Sequence, residues 1–285
     1  MSLDLDDRQR AMLQEMGVRV WLPGTAFATV QAPVAAPVQA KVPERSTVPG
    51  KPAVTPVTPV APVVAVPVVP ALSPLPFVSD APDAAALVAQ AGACTACGLC
   101  AGRTHSTLQL PLQPAHWMVV GDPPDADEDA QGRPFAADAG VLLDNMLRAL
   151  HLQRLPNADS AATVPLAQRV YVSNVLKCRP PHGTLPQAAE LAQCAAYLQR
   201  EIALVQPRLI LAMGRFANQL LLGETPELAT QPLGRVRGHV YRYQGVPVVV
   251  TYHPKALLRH SPDKAKAWVD LCLAADTMDT PPPRP

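Results

Sequence analysis

The most informative part of this chain runs His116-Trp-Met-Val-Val-Gly-Asp-Pro-Pro-Asp125 and continues as a polar segment to Gly140. The apolar residues before Gly121 predict a buried strand, and residues 141–150 repeat apolar side chains at helical spacing. A long polar loop that leaves the carboxyl end of a strand is where open α/β sheets bind ligands. This loop carries five carboxylates in residues 122–129. Taken alone, these residues suit a solvated acidic turn as well as a ligand site.

Strands of buried type alternate with helices along the following chain. The patterns predict strands at 170–178 and 208–214 and a hairpin around Gln244-Gly245. They predict helices at 83–91, 141–150, 186–206, 216–222 and 263–278. Such alternation is typical of a three-layer α/β/α domain with a central, mostly parallel sheet. We place this domain at residues 79–280 and expect 281–285 to be a disordered tail.

The chain before residue 79 has a different composition. Residues 25–78 are rich in Pro, Ala and Val. Frequent proline removes amide donors and fixes φ, so these residues predict a disordered linker with polyproline II character. Residues 1–24 are too few to bury an apolar face of their own. They either pack on the main domain or dock on a partner, and we predict docking through Leu13, Met16 and Trp21, with the Trp as anchor.

Composition narrows the classes of protein that this chain can represent. The formal net charge of 285 residues is +1, which argues against a uniformly basic nucleic-acid-binding protein. The acidic opening, residues 1–7, does not resemble a secretory signal, and the sequence lacks a proline-free apolar run of about 18 residues. We therefore expect a cytoplasmic monomer. Six cysteines in a cytoplasmic protein indicate metal binding or catalysis rather than disulfide bonds.

The cysteines fall into two close pairs. Cys94 and Cys97 form a C-x-x-C motif, and Cys178 and Cys194 lie sixteen positions apart. Two such pairs separated by a long excursion are typical of a fold that closes on a metal. Four thiolates suit either zinc or a [4Fe–4S] cluster, and the spacing does not choose between them. Cys100 is a competing ligand, whereas Cys272 lies in the last predicted helix and is expected in the core.

Several stretches together resemble the family 4 uracil-DNA glycosylases. They are Cys94-x-x-Cys97 with Gly102-Arg-Thr104, Gly121–Gly140, Ser173-Asn-Val-Leu-Lys-Cys-Arg-Pro-Pro181, Cys194, Val236-Arg-Gly238 and Thr251-Tyr-His-Pro-Lys-Ala-Leu-Leu-Arg259. The resemblance implies the uracil-DNA glycosylase fold with a four-stranded parallel sheet. It also implies a structural [4Fe–4S] cluster on Cys94, Cys97, Cys178 and Cys194. The implied reaction flips uracil out of DNA and hydrolyses its N-glycosidic bond to start base excision repair, in the cytoplasm at the bacterial nucleoid.

The same resemblance assigns roles within the site. Phe135 matches the residue that stacks on the flipped base, and Asn174 matches the amide that reads its pyrimidine edge. His253 matches the donor to uracil O2, where negative charge grows as the bond breaks. Asp122 and Glu128 match catalytic carboxylates. Gly121 and Pro123 complete the base-binding set.

The DNA-binding set comes from the end of the chain. Residues 255–259 resemble a loop that enters the minor groove at the vacated base, where Lys255 and Arg259 would meet phosphates. Arg237 belongs to a late cluster of basic residues that would add to this surface.

The loop departs from the family pattern at three positions. Asp122 stands in place of a Glu, Pro123 has no N–H group, and Asp125 replaces a Gly. These departures support an alternative hypothesis, a weakly active or inactive subunit of the same fold that binds DNA and a replisome partner. The N-terminal peptide resembles that of the clamp-loader psi subunit, which binds the chi subunit, and a chi-type partner is therefore expected for it.

Overall fold

The computed structural model describes residues 83–155, 163–182, 184–223 and 225–279. The predicted docking peptide (1–24), linker (25–78) and tail (281–285) lie outside these ranges, as does the predicted start of the domain at residue 79. None of the helices in the described ranges is both long and apolar enough to cross a membrane.

The described chain alternates between strands and helices, as predicted. The strands are β1 (Trp117–Gly121), β2 (Gln153–Arg154), β3 (Arg169–Asn174), β4 (Leu209–Met213), β5 (Val240–Tyr243) and β6 (Val246–Thr251). The helices are α1 (Ala84–Ala93), α2 (Ala126–Gln131), α3 (Ala137–Ala149), α4 (Ala188–Val205), α5 (Arg215–Leu221), α6 (Pro226–Ala229), α7 (Leu233–Val236), α8 (Pro254–Arg259) and α9 (Asp263–Asp279). Short 3₁₀ turns lie at Gly98–Gly102 and Leu166–Gln168.

The strands form one mixed sheet in the order β2-β3-β1-β4-β6-β5. All neighbours pair in parallel except β5 and β6, which form the predicted antiparallel hairpin. The α/β class is therefore confirmed, but the expected strand number is not. The four central strands are parallel, and the sheet in the described ranges has six strands because β2 and β5 add an edge on each side. With only two residues, β2 is too short to show a period in the sequence.

Helices cover both faces of the sheet. Met118 and Val120 on β1 belong to one core cluster, which contains residues of α1, α4 and α5. Trp117 and Val119 belong to the other, which contains residues of α3, α8 and α9. Since successive side chains of a strand point to opposite faces, the fully apolar β1 serves both cores at once.

The polar segment 121–140 is not a continuous loop, which corrects the interpretation of this stretch. Helix α2 occupies Ala126–Gln131, and α3 begins at Ala137. Asp125 caps α2 by accepting from the Glu128 N–H, while Glu128 accepts from the Asp125 N–H. This reciprocal capping box is readable in the sequence as an Asp followed three residues later by a Glu. The acidic residues thus begin a helix instead of forming a solvated turn.

Candidate active site

The candidate site lies at the carboxyl end of the parallel strands, where β1, β3 and β6 end. Gly121 at the end of β1 pairs in register with Asn174 at the end of β3. His253 follows β6 by two residues and caps α8. The topology therefore brings together three of the predicted base-binding positions, which are separated by up to 132 residues of sequence.

Phe135 and His253 form a stacked pair next to Gly121. Their ring centroids are 4.8 Å apart and their planes differ by 11°. A Cβ at position 121 would lie 2.5 Å from Cζ of Phe135, so glycine is required for the backbone to pass so close to the ring. A planar ligand needs about 3.5 Å to each neighbouring ring. The space between these two rings, as it stands, does not admit one.

The hydrogen bonding of His253 fixes its tautomer. Its Nδ1 lies 3.2 Å from the backbone N–H of Lys255 and accepts from it, so the proton of the neutral ring is on Nε2. Burial, together with the positive charge of Lys255, lowers the pKa of His253 to about 3. The ring is thus a neutral donor near pH 7, and its Nε2 lies beside Gly121.

Asn174 is buried, and only the nitrogen of its side-chain amide has hydrogen-bond partners among the described residues. Its Nδ2 donates to the backbone O of Asp122 at 2.7 Å and to Oε1 of Glu128 at 3.1 Å. Flipping the amide would set its oxygen against both acceptors, so its orientation is determined by the surroundings. Its Oδ1 has no partner within the described chain. A buried acceptor left without a donor is costly, and this one is available to an N–H group of a ligand.

Glu128 is fully buried and connects four parts of the site. Its Oε1 accepts from the Phe135 N–H at 2.6 Å as well as from Asn174. Its Oε2 accepts from the Asp125 N–H at 3.0 Å and forms an ion pair with Lys255. Phe135 has φ 52°, a conformation that residues other than glycine rarely adopt. The bond from its N–H to Glu128 holds it there.

Lys255 is engaged by two carboxylates. Its Nζ lies 2.6 Å from Oδ2 of Asp125 in addition to its contact with Glu128. Burial favours the neutral forms of these groups, but the ion pairs prevail: they raise the pKa of Lys255 and lower the pKa of Asp125. Lys255, which is predicted to contact a DNA phosphate, is therefore engaged in this structure by Asp125 and Glu128 at the start of helix α2.

The carboxylate of Asp122 faces a helix terminus. Its Oδ1 accepts from the backbone N–H groups of Phe216, at 2.7 Å, and Ala217, at 3.3 Å, in the first turn of α5. Gly214 has φ 113°, and a Cβ there would overlap the carboxylate. Burial raises the pKa of Asp122, although the helix N–H groups oppose this change. Pro123 follows in a half-buried bend.

The predicted DNA-binding residues differ in their surroundings. Residues 255–259 belong to helix α8 and not to a loop. Arg259 is exposed at the end of this helix, next to Leu258, whose side chain is 47% exposed. Arg237 instead donates to both carboxylate oxygens of the buried Asp270, at 3.0 and 2.9 Å.

The four predicted cysteine ligands line one small cavity, together with Cys100 and Tyr197. Two of the sulfurs accept hydrogen bonds: Cys178 from Nη1 of Arg103 at 3.2 Å, and Cys194 from the backbone N–H of Lys177 at 3.3 Å. The thiols are not joined in disulfides. Within the described ranges, no group of three or more His, Cys, Asp or Glu residues is placed to hold a single metal ion.

Two buried charged residues next to the site are not predicted by any sequence pattern. Lys177 and Glu201 form an ion pair of 2.6 Å, with side chains 2% and 1% exposed. Lys177 lies in the motif between Asn174 and Cys178, but only the fold shows that it points inward. No local signal distinguishes Glu201 from an exposed residue of α4.

A family model described as the uracil DNA glycosylase superfamily matches residues 109–275. The chain belongs to the uracil DNA glycosylase superfamily. The type-4 uracil-DNA glycosylase of Archaeoglobus fulgidus is 36% identical over 148 residues, which cover 50% of this chain and 67% of that protein.

Two further members of the superfamily show similar identity. The type-4 uracil-DNA glycosylase of Pyrobaculum aerophilum is 36% identical over 160 residues, covering 55% of this chain and 74% of the relative. That of Thermotoga maritima is 32% identical over 153 residues, covering 53% and 71%. The residues matched by the family model include β1, β3 and β6, at whose ends the site lies.

Proposed function

We propose that this protein is a uracil-DNA glycosylase, a hydrolase that removes uracil from DNA by cleaving its N-glycosidic bond. The observation that carries the proposal is the unpartnered Oδ1 of Asn174. Uracil presents an N–H donor at N3, whereas cytosine presents an acceptor there. An amide whose Nδ2 is held by Asp122 and Glu128 can offer only its oxygen to the base, which favours uracil.

The neighbouring groups support the cleavage step. As the bond from the sugar C1′ to N1 breaks, the electron pair stays on uracil and negative charge grows on O2. Water then adds to C1′, and the proton that it loses balances the charge of the departing uracil. The neutral His253 donates from Nε2 without carrying a charge of its own that must first be desolvated. Phe135 provides an apolar face for the extruded base once the His253 ring moves off it.

The two carboxylates have different surroundings. Glu128 is saturated by four donors, which supports a role in positioning Asn174 and Phe135. Asp122 lies nearer to the end of β1, and we propose that it supports the positive charge that develops on the sugar. We propose that the backbone of Gly121 and Pro123 lies close to the bound base. Because Gly121 has no side chain, the backbone can approach the Phe135 ring.

An excision assay tests the proposal directly. A single-stranded oligonucleotide with one uracil is incubated with the protein and then treated with alkali, and a matched oligonucleotide carries cytosine. We expect cleavage at uracil only, and its loss in Asn174→Ala. The control Asn145→Ala changes a half-buried Asn of α3 that binds Arg148 and should cleave normally. No abasic product from folded wild-type protein would instead support a DNA-binding subunit without activity.

We further propose that Cys94, Cys97, Cys178 and Cys194 hold a [4Fe–4S] cluster, which supplies structural cross-linking and takes no part in the cleavage. The donor set is all sulfur, which suits iron–sulfur or zinc. Zinc would draw the sulfurs to about 3.8 Å from one another, since Zn–S is about 2.3 Å in a tetrahedral site. A cluster spaces its ligands more widely, and metal analysis therefore distinguishes the two.

Metal analysis after anaerobic purification tests the cluster. We expect iron and a broad absorption near about 400 nm, typical of thiolate-bound iron. Cys178→Ser should lose both, whereas Cys272→Ser in α9 should retain them, and Cys100→Ser tests whether the fifth cysteine contributes. Stoichiometric zinc without iron would overturn the proposal.

We also propose a DNA-binding surface and a protein partner. Exposed Leu258 and Arg259 support insertion of α8 into the minor groove, with Arg259 on a phosphate. For the N-terminal peptide we propose a chi-type replisome partner. Trp21→Ala should abolish capture of that partner and leave excision unchanged. A monomeric state and a cytoplasmic location at the nucleoid stay predictions.

A further inference from the structure

A buried polar network lies beneath the end of β3. Glu201 of α4 accepts from the hydroxyl of Tyr171 at 2.6 Å and from that of Ser173 at 3.0 Å. The ammonium of Lys177 makes three contacts: Glu201 Oε2 at 2.6 Å, Ser173 Oγ at 2.6 Å and the backbone O of Asn174 at 2.8 Å. An ammonium has three donors, so every one of them is used. Glu201 supplies the counter-charge that a buried Lys requires.

This network holds the peptide group that follows Asn174. The carbonyl of that group accepts from Lys177 Nζ, and its N–H, that of Val175, donates to the backbone O of Gly121 at 3.0 Å. A peptide group bonded at both ends cannot rotate without breaking one bond. The direction in which the Asn174 side chain leaves the backbone is therefore fixed from below, independently of the contacts made by its own amide.

Lys177 is itself held from the cysteine side. Its backbone N–H donates to Cys194 Sγ at 3.3 Å, and its backbone O accepts from the Thr107 N–H at 3.0 Å. The next residue is Cys178, whose sulfur accepts from Arg103. The main chain of Lys177 thus belongs to the wall of the cysteine cavity, while its side chain supports the base-reading amide.

We propose that Lys177, with Glu201 as its counter-ion, is a positioning residue for uracil recognition that acts through the main chain of Asn174. The inference rests on the proposed glycosylase function. The ammonium does not meet the base, so its removal should weaken recognition of uracil and leave the DNA surface intact.

The test compares two DNA ligands. One carries 2′-fluoro-2′-deoxyuridine, a uracil nucleotide that resists cleavage, and the other carries a tetrahydrofuran abasic-site analogue, which has no base. The variant is Lys177→Met with Glu201→Gln, because Lys177→Met alone would leave a buried carboxylate unpaired. The control pair is Lys266→Met with Asp263→Asn, which removes an ion pair of 2.8 Å with Lys266 largely exposed.

We expect the network variant to bind the uracil ligand about tenfold more weakly, equivalent to ~1.4 kcal/mol, because the Asn174 amide is no longer directed towards the base. Binding of the abasic analogue, iron content and melting temperature should stay close to wild type. Equal weakening of both ligands, or no change in either, would overturn the inference. If the double variant does not fold, Lys177→Gln with Glu201→Gln, which keeps an N–H donor at position 177 and leaves no buried carboxylate without its counter-charge, should show a smaller loss confined to uracil. Failure of wild-type protein to excise uracil would refute the proposed function instead.

Discussion

Replacing Glu128 with Gln is the sharpest test of how this site is held together. The substitution keeps the shape of the side chain but turns one acceptor oxygen into an NH₂ donor. All four groups around the carboxylate are donors: the N–H groups of Asp125 and Phe135, the amide of Asn174 and the ammonium of Lys255. Either orientation of the new amide therefore sets a donor against two donors.

The expected loss of stability follows from these contacts. Two buried donors are left unsatisfied at about 1–3 kcal/mol each, and the ion pair to Lys255 loses its charge. Lys255 is 29% exposed and keeps Asp125 as a partner, so water and the second acid reduce this part of the loss. We expect a decrease of roughly 3–4 kcal/mol in the free energy of unfolding, a large share of the ~5–15 kcal/mol typical of a domain.

Activity should fall as well, because Glu128 orients both Asn174 and Phe135. We expect kcat/KM for uracil excision to decrease about tenfold to a hundredfold per folded molecule, as about 1.4–2.7 kcal/mol of transition-state stabilisation is lost. Urea unfolding and the oligonucleotide assay measure the two effects. The matched control is Asp127→Asn, an exposed acid on the same helix, which should change stability by less than about 0.5 kcal/mol. A Glu128→Gln protein as stable and active as this control would refute the reasoning.

Two further predictions concern pH and backbone geometry. The folded pKa of His253 is about 3 against an ordinary value of 6.5, so the unfolded chain binds a proton that the folded chain does not. Stability should therefore fall as pH drops from about 6.5 towards 3, and unfolding at stepped pH should show a weaker dependence in His253→Gln; equal dependence in both proteins would contradict the assignment. Gly214→Ala, whose methyl group would overlap the Asp122 carboxylate, should lower the midpoint of unfolding, whereas Gly92→Ala meets open space and should not; similar midpoints would show that α5 can shift to accommodate the methyl.

Much of the fold is encoded in local patterns. The apolar residues before Gly121 and the predicted strands at 170–178 and 208–214 correspond to β1, β3 and β4, although β3 already ends at Asn174. The helical repeats between them predict the crossovers of a parallel sheet. Such strands and helices can be recognised because the periodicity of apolar residues within each segment is sufficient to identify it. Two short elements are not predicted from the sequence. Strand β2 has only two residues, and the acidic composition of α2 suggests a solvated turn, although Asp125 and Glu128 form a recognisable capping box.

The same limit applies to the site. The spacing of the four cysteines is enough to predict a metal site, and resemblance to the family motifs is enough to predict roles for Asn174 and His253. Which partner each polar group takes is a different matter. Lys255 meets Glu128, 127 positions earlier, and Arg237 meets Asp270 instead of a free surface. These pairings depend on which strands and helices the fold brings together, and residues far apart in the sequence supply the partners.

The chain's sequence thus specifies its elements, their order and the chemical groups available at the end of the sheet. Only the packed fold specifies which of those groups are neutralised, buried or left open. The free Oδ1 of Asn174, the burial of His253 and the inward course of Lys177 all arise from long-range contacts. The physical reason is that burial and hydrogen bonding are properties of a group's three-dimensional surroundings, and residues far apart in the chain supply them.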